Sequence, residues 1–117
     1  MSAEARGVKA QNRRMRRAKE RFDHDVIAVM STAQGRRFVW WVLGEAGIHR
    51  SVFRPNALEM AMLAGMQNMG LRLEAALMDA CPELYLLAQD EAGKTQRETL
   101  SEELTTEPTP EMEDDNA

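Results

Sequence analysis

A single cysteine, Cys81, means that no disulfide can close within this chain, so the fold must rest on packing, and a reducing compartment or indifference to redox state follows. Aromatic residues make up only 5%, and Val and Ile are sparse. That composition argues against a sheet-rich protein and, with abundant Ala, Leu, Met, Glu and Arg, favours helix. Long apolar runs are also missing. The longest is Phe38–Leu43, far short of the roughly 20 residues that span a bilayer. Near the N-terminus no apolar stretch follows the basic residues before Val26–Met30, which is too short for a secretory signal core. The expectation is a soluble, cytoplasmic protein with no membrane partner.

Catalytic and metal-binding signatures are scarce as well. The chain has two histidines, His24 and His49, on different predicted elements. It has no Gly-rich phosphate loop, no paired-carboxylate motif and no nucleophile elbow. A zinc site needs about four ligands at regular spacing, which one cysteine and two scattered histidines do not supply. The expectation is a non-enzymatic protein without cofactor or metal, in which His24 is a surface residue, His49 a loop residue and Cys81 a small residue at a helix junction.

What is present is charge, unevenly placed. Residues 1–21 hold eight basic and two acidic residues, residues 98–117 hold eight acidic and no basic ones, and residues 22–97 are nearly balanced. The formal net charge of −4 therefore conceals a basic head and an acidic tail, two charged arms on a near-neutral core. At 117 residues the chain has room for one small domain.

Apolar spacing predicts four helices. The first runs from about Glu4 to Met30, with Met15, Ala18, Phe22, Val26 and Val29 along one face. Ser31-Thr32 supplies a break and an N-cap, and a second helix follows from about Ala33 to Ala46. Phe38 to Leu43 cover all sides of it, so it is buried on more than one face or carries an exposed patch. Gly47 fits a left-handed C-cap. Asn56 with Glu59 reads as a capping box for the longest helix, Ala57–Ala80. There Leu58, Met62, Met66, Met69, Leu73 and Leu77 recur at spacings of three and four and are expected to form the core face. Gly65 and Gly70 suit close approach of another helix, or are simply tolerated. Pro82 starts a fourth helix, expected to end at Ala92 with Gly93 as its stop. The fold class is thus all-α, a bundle of about four helices. Its predicted organisation is a basic arm over 1–22, a helical core over 23–92 and a disordered acidic tail over 93–117.

Three stretches carry a family resemblance. Thr32-Ala-Gln-Gly-Arg-Arg-Phe-Val-Trp40 follows a T-x-x-G-R-R-F-x-W pattern. Gly65-Met-Gln-Asn-Met-Gly-Leu-Arg-Leu73 follows G-x-x-N-x-G-L-R-L, and Pro82-Glu-Leu-Tyr85 opens a final helix with P-E-x-Y. Together they resemble the Bbp-like phage domain, a small helical family of tailed-bacteriophage proteins first noted in a Bordetella podophage. The similarity covers roughly residues 23–91 and leaves out both charged arms. It implies a bacteriophage protein from the head and tail morphogenesis genes, a virion or head–tail assembly component. It brings no activity with it, because the matched residues read as packing and capping positions.

Two candidate surfaces follow. Arg13, Arg14, Arg16, Arg17, Lys19 and Arg21 form the basic head, which suits DNA or an acidic protein partner. The flexible acidic tail is expected to reach back and partly screen it. Arg36, Arg37, Trp40 and Trp41 are the candidate protein-contact residues, suited to other phage structural proteins or a second copy of the chain. Arg36 and Arg37 oppose the helix dipole at the start of the second helix. A partner carboxylate is expected, with Glu45, Glu74 and Asp79 as candidates. Trp40 and Trp41 cannot face the same way, so one belongs to the core and the other is an exposed anchor. A helix-turn-helix reading fails, because the long third helix would be the recognition helix and carries only Arg72 as a basic residue.

Overall fold

The computed structural model describes residues 2–106, which form four α-helices and no strand. Helix α1, Ala3–Met30, begins where the Ser2 hydroxyl accepts from the Ala5 amide at 3.2 Å. Helix α2, Ala33–Ala46, begins where Thr32 does the same for Gly35 at 3.0 Å. Gly47, with φ of 71°, closes α2 in the left-handed geometry that glycine adopts without steric cost. Helix α3, Ala57–Ala80, is capped by the Asn56 side chain, which accepts from Leu58 and Glu59. The reciprocal half of the expected capping box is replaced by an ion pair, since Glu59 faces Arg54 at 3.5 Å. Cys81 separates α3 from α4, Pro82–Thr106, and Pro82 takes the first helical position, where its missing N–H costs nothing.

All six pairs of helices touch. The core is Met30 from α1, Val39 and Leu43 from α2, Leu77 from α3, Cys81 at the junction, and Tyr85 and Ala88 from α4. Met30, Leu43 and Leu77 are the most deeply buried large side chains, each contributing about 1.5–3 kcal/mol. Val26, Trp40, Leu73 and Leu84 pack around them.

The core face of α3 differs from the expected one. Leu58, Met62, Met66 and Met69 are exposed, and only Leu73 and Leu77 of that line reach the core. The inward line instead passes through Leu63, Gln67, Gly70, Leu73 and Leu77. Its upper half faces the α2–α3 turn, which demands small and hydrogen-bonding residues. A Cβ on Gly70 would stand 2.5 Å from the Ala46 Cβ and 2.7 Å from the Ile48 Cγ2. The Gln67 amide donates to the carbonyls of Gly47, at 2.9 Å, and Arg50, at 2.8 Å. Gly65 approaches nothing. A second close approach, at Gly35, puts the start of α2 against the Val29 carbonyl. On α1 the expected docking face is likewise only half used: Met15, Phe22 and Val29 are exposed, while Val26 packs on the core.

Helix α4 does not stop at Ala92. It runs through Gly93 to Thr106, supported by an Asp90–Lys94 ion pair one turn apart at 3.2 Å. A glycine inside a helix costs only about 1 kcal/mol, too little to end one whose neighbours are good helix formers. The part of the expected disordered tail over 93–106 is therefore helical, and its remainder, 107–117, lies outside the described residues.

Direction matters for the two arms. Lys19 on α1 reaches Asp79 at the end of α3 at 2.8 Å, and Arg36 links the Met30 carbonyl to Glu91 on α4. Helices α1 and α4 thus run the same general way, α4 starting beside the middle of α1 and passing its C-terminus near Glu91. The first half of α1 projects from one end of the bundle, and the last half of α4 from the other. By helix rise, Thr106 lies about 40 Å along the bundle from Arg17. Of the tail expected to fold back over the basic head, residues 98–106 are directed away from it by the helical extension of α4, and residues 107–117 lie outside the described residues.

Candidate protein-contact site

Arg36, Arg37, Trp40 and Trp41 all line one groove, of about 580 Å³, between α2 and α4. Helical spacing explains the gathering: positions i, i+1, i+4 and i+5 share one side of α2. The opposite wall is the one-turn repeat of α4, with Ala88, Glu91, Ala92, Lys94 and Thr95. Small residues at Ala88 and Ala92 keep that wall low. The sequence places Ala88, Glu91 and Ala92 in the fourth helix, but a helix ended at Ala92 leaves Lys94 and Thr95 out of this wall; the Asp90 and Lys94 pair at i,i+4 was the available signal.

The four residues divide by role. Arg36 is held: its Nε donates to Glu91 at 2.6 Å, its Nη1 donates to the Met30 carbonyl at 3.0 Å, and its side chain is only 13% exposed. Its partner is none of the three expected carboxylates. Glu74 accepts from the Tyr85 hydroxyl at 2.7 Å, Asp79 pairs with Lys19, and the side chain of Glu45 makes no ion pair among the described residues. Trp40 turns inward, its ring 5.9 Å from that of Tyr85. Trp41 turns outward and is 59% exposed, stacked at 6.0 Å on Phe38, itself 62% exposed. Arg37 is exposed at the rim. The site offers a paired aromatic surface, a groove with an apolar floor and an exposed guanidinium, which is chemistry suited to binding.

Under this site lies a buried polar contact. Burial and the Glu74 carboxylate push the Tyr85 hydroxyl up to about 12, so it stays a donor at any ordinary pH. Burial also raises the Cys81 thiol, with Asp23 adding to the effect; a protonated, buried thiol is a poor nucleophile. His24 and His49 are exposed, His49 at the edge of a shallow cleft with Trp40, Gly47 and Arg50. Among the described residues no three of His, Cys, Asp or Glu gather as metal ligands, and no helix is long and apolar enough to cross a membrane.

The basic head separates into two kinds of residue. Arg13, Arg14, Arg16, Arg17 and Arg21 are exposed, and none forms an ion pair among the described residues. Lys19 is also exposed but is shared between Asp23, at 2.9 Å, and Asp79, at 2.8 Å. Those two bonds raise its pKa and make it a clasp between α1 and α3.

A family model described as Bbp19-like phage protein matches residues 27–89. The match covers the bundle and the α2 wall of the groove and excludes both arms. No curated protein and no solved structure matches the chain.

Proposed function

The chain belongs to the family of Bbp19-like phage proteins, and on that premise we propose that it is a non-enzymatic structural or morphogenesis protein of the phage, acting through protein–protein contacts. It would be found in the virion or, before assembly, in the host cytoplasm, and its partners would be other phage structural proteins. The observation that carries this reading is the exposed Phe38–Trp41 stack beside the α2–α4 groove. Large aromatics of this kind dominate the energy of protein interfaces, and they serve no packing need of the bundle. Charge at Arg37 would steer and orient the partner more than hold it.

The test is mass spectrometry of purified particles and assembly intermediates, with the wild-type chain and a Phe38→Ser/Trp41→Ser variant. Wild type should be present, and the variant, folded by circular dichroism, should be depleted at least tenfold. Absence of the wild-type chain from both particles and intermediates would remove the reading.

A second reading, nucleic-acid binding, has its own observation: five arginines without ion pairs on a helix that stands off the core. Such a helix would bind phosphate backbones without sequence preference. Gel shifts at rising salt decide it, and no shift even at low salt would exclude it.

A further inference from the structure

We propose that α2 pairs with α2 of a second copy of the chain, antiparallel, across a two-fold axis beside Trp41. The proposal rests on the reading of the Phe38–Trp41 stack as a protein-contact surface and names a partner for it. Helical spacing puts Gln34, Arg37, Phe38, Trp41, Gly44 and Glu45 on the outward side of α2, and all six are exposed. Val39 and Leu43, on the opposite side, hold the helix to the core, so the outward stripe can be covered without opening the bundle.

The stripe is complementary to its own reverse. A two-fold axis at Trp41 sets each position before it against the position equally far after it on the other copy. Arg37 and Glu45 stand four residues to either side, so opposite charges meet twice. Neither makes an ion pair among the described residues. Phe38 and Gly44 stand three residues to either side, so each Phe38 ring meets a position without a side chain. A Cβ on Gly44 would touch nothing within 4 Å in its own chain, so the gap opens outward, where the partner's ring fits it. Trp41 meets its own copy at the axis, where large aromatics contribute most. Phe38 and Trp41, 62% and 59% exposed, would with their four neighbours withdraw roughly 1,000 Å² from water across the pair, the lower bound for a specific interface. A reversible dimer is therefore expected. Because the same patch serves both copies, the contact is isologous and association stops at two.

Sedimentation velocity on the nuclease-treated full chain, from about 1 μM to about 500 μM, tests it. The wild type should pass from monomer to dimer and no further. Arg37→Glu and Glu45→Arg each put like charges face to face and should weaken association tenfold or more. Both replacements suit the dipole of α2 at exposed positions, so circular dichroism should be unchanged. An equimolar mixture of the two variants restores both opposite-charge pairs and should recover the dimer, as should the double variant. Gly44→Leu fills the gap that takes Phe38 and should abolish association while keeping the fold. A wild type that stays monomeric at every concentration, a mixture no better than its components, or a Gly44→Leu chain that associates unchanged would each overturn the proposal. The particle measurement separates the two readings: a dimeric chain absent from particles would remove the structural role and leave this pairing, and a monomeric chain present in particles would do the reverse.

Discussion

Replacing Gly65 by alanine and Gly70 by alanine is the same chemical change on the same helix, yet the first should stabilise the fold and the second should not. Both gain the helix propensity of alanine over glycine, about 1 kcal/mol. At Gly65 nothing lies within 4 Å of the new Cβ, so that gain stands. At Gly70 the Cβ meets the Ala46 Cβ at 2.5 Å and the Ile48 Cγ2 at 2.7 Å. Neither neighbour can swing aside: one is a methyl fixed to the backbone, the other belongs to a β-branched side chain. Overpacking of this kind costs about 1–3 kcal/mol. Gly70→Ala should therefore be neutral to about 2 kcal/mol less stable than wild type. The gap between the two variants is the cleaner quantity, because the propensity contribution cancels and leaves about 1–3 kcal/mol. At roughly 4 °C per kcal/mol for a domain of this size, thermal melts should separate by about 4–12 °C. Melts that shift equally and in the same direction would refute the close approach of α3 to the end of α2.

Three further outcomes are expected. Gln67→Ala removes both side-chain bonds from α3 to the turn after α2 and should cost about 1–3 kcal/mol, read by urea denaturation, with amide exchange accelerated around Gly47–Arg50; a protected turn in the variant would count against the clasp. Tyr85 titrates at about 12 when folded against an ordinary 10, so folding favours its protonated form: its contribution is complete below pH 10 and is lost as pH rises from 10 to 12, by no more than about 3 kcal/mol. Tyr85→Phe should be about 1 kcal/mol less stable at neutral pH and should show a flatter loss above pH 10; an unchanged slope would remove Tyr85 as its source. Arg36→Ala strands Glu91 and the Met30 carbonyl and should cost about 1–3 kcal/mol, less than for a fully buried pair because Glu91 keeps some solvent, whereas Glu91→Gln, which keeps an acceptor, should cost less in the same melt.

Helix boundaries were legible in the sequence wherever a cap fixes them, as at Thr32, Gly47, Asn56 and Pro82, because capping is local chemistry. The buried face of α3 was not. Leu58, Met62, Met66 and Met69 make a better apolar line than Gln67 and Gly70, and hydropathy follows the better line. What decides the face is the neighbour, a turn whose carbonyls need donors and whose methyls leave no room for a Cβ. The same limit applies at the candidate site. Arg36, Arg37, Trp40 and Trp41 were visible as one helical cluster, and the inward turn of one Trp followed from geometry. Glu91 was not visible as the partner of Arg36, because it comes from a stretch of α4 far along the chain. Gly93 misled for a different reason: a glycine ends a helix only when the left-handed geometry is used, and here only Gly47 among the described residues uses it.

The outward placement of Met62, Met66 and Met69 has a consequence in redox chemistry. Their thioethers meet solvent, so peroxide can convert them to sulfoxides without opening the bundle, turning an apolar stripe of α3 into a polar one. The core thiol at Cys81, protonated and enclosed, is shielded from the same oxidant. Oxidation would therefore rewrite the surface of this protein before it threatened the fold, and the change would be reversible by methionine sulfoxide reduction.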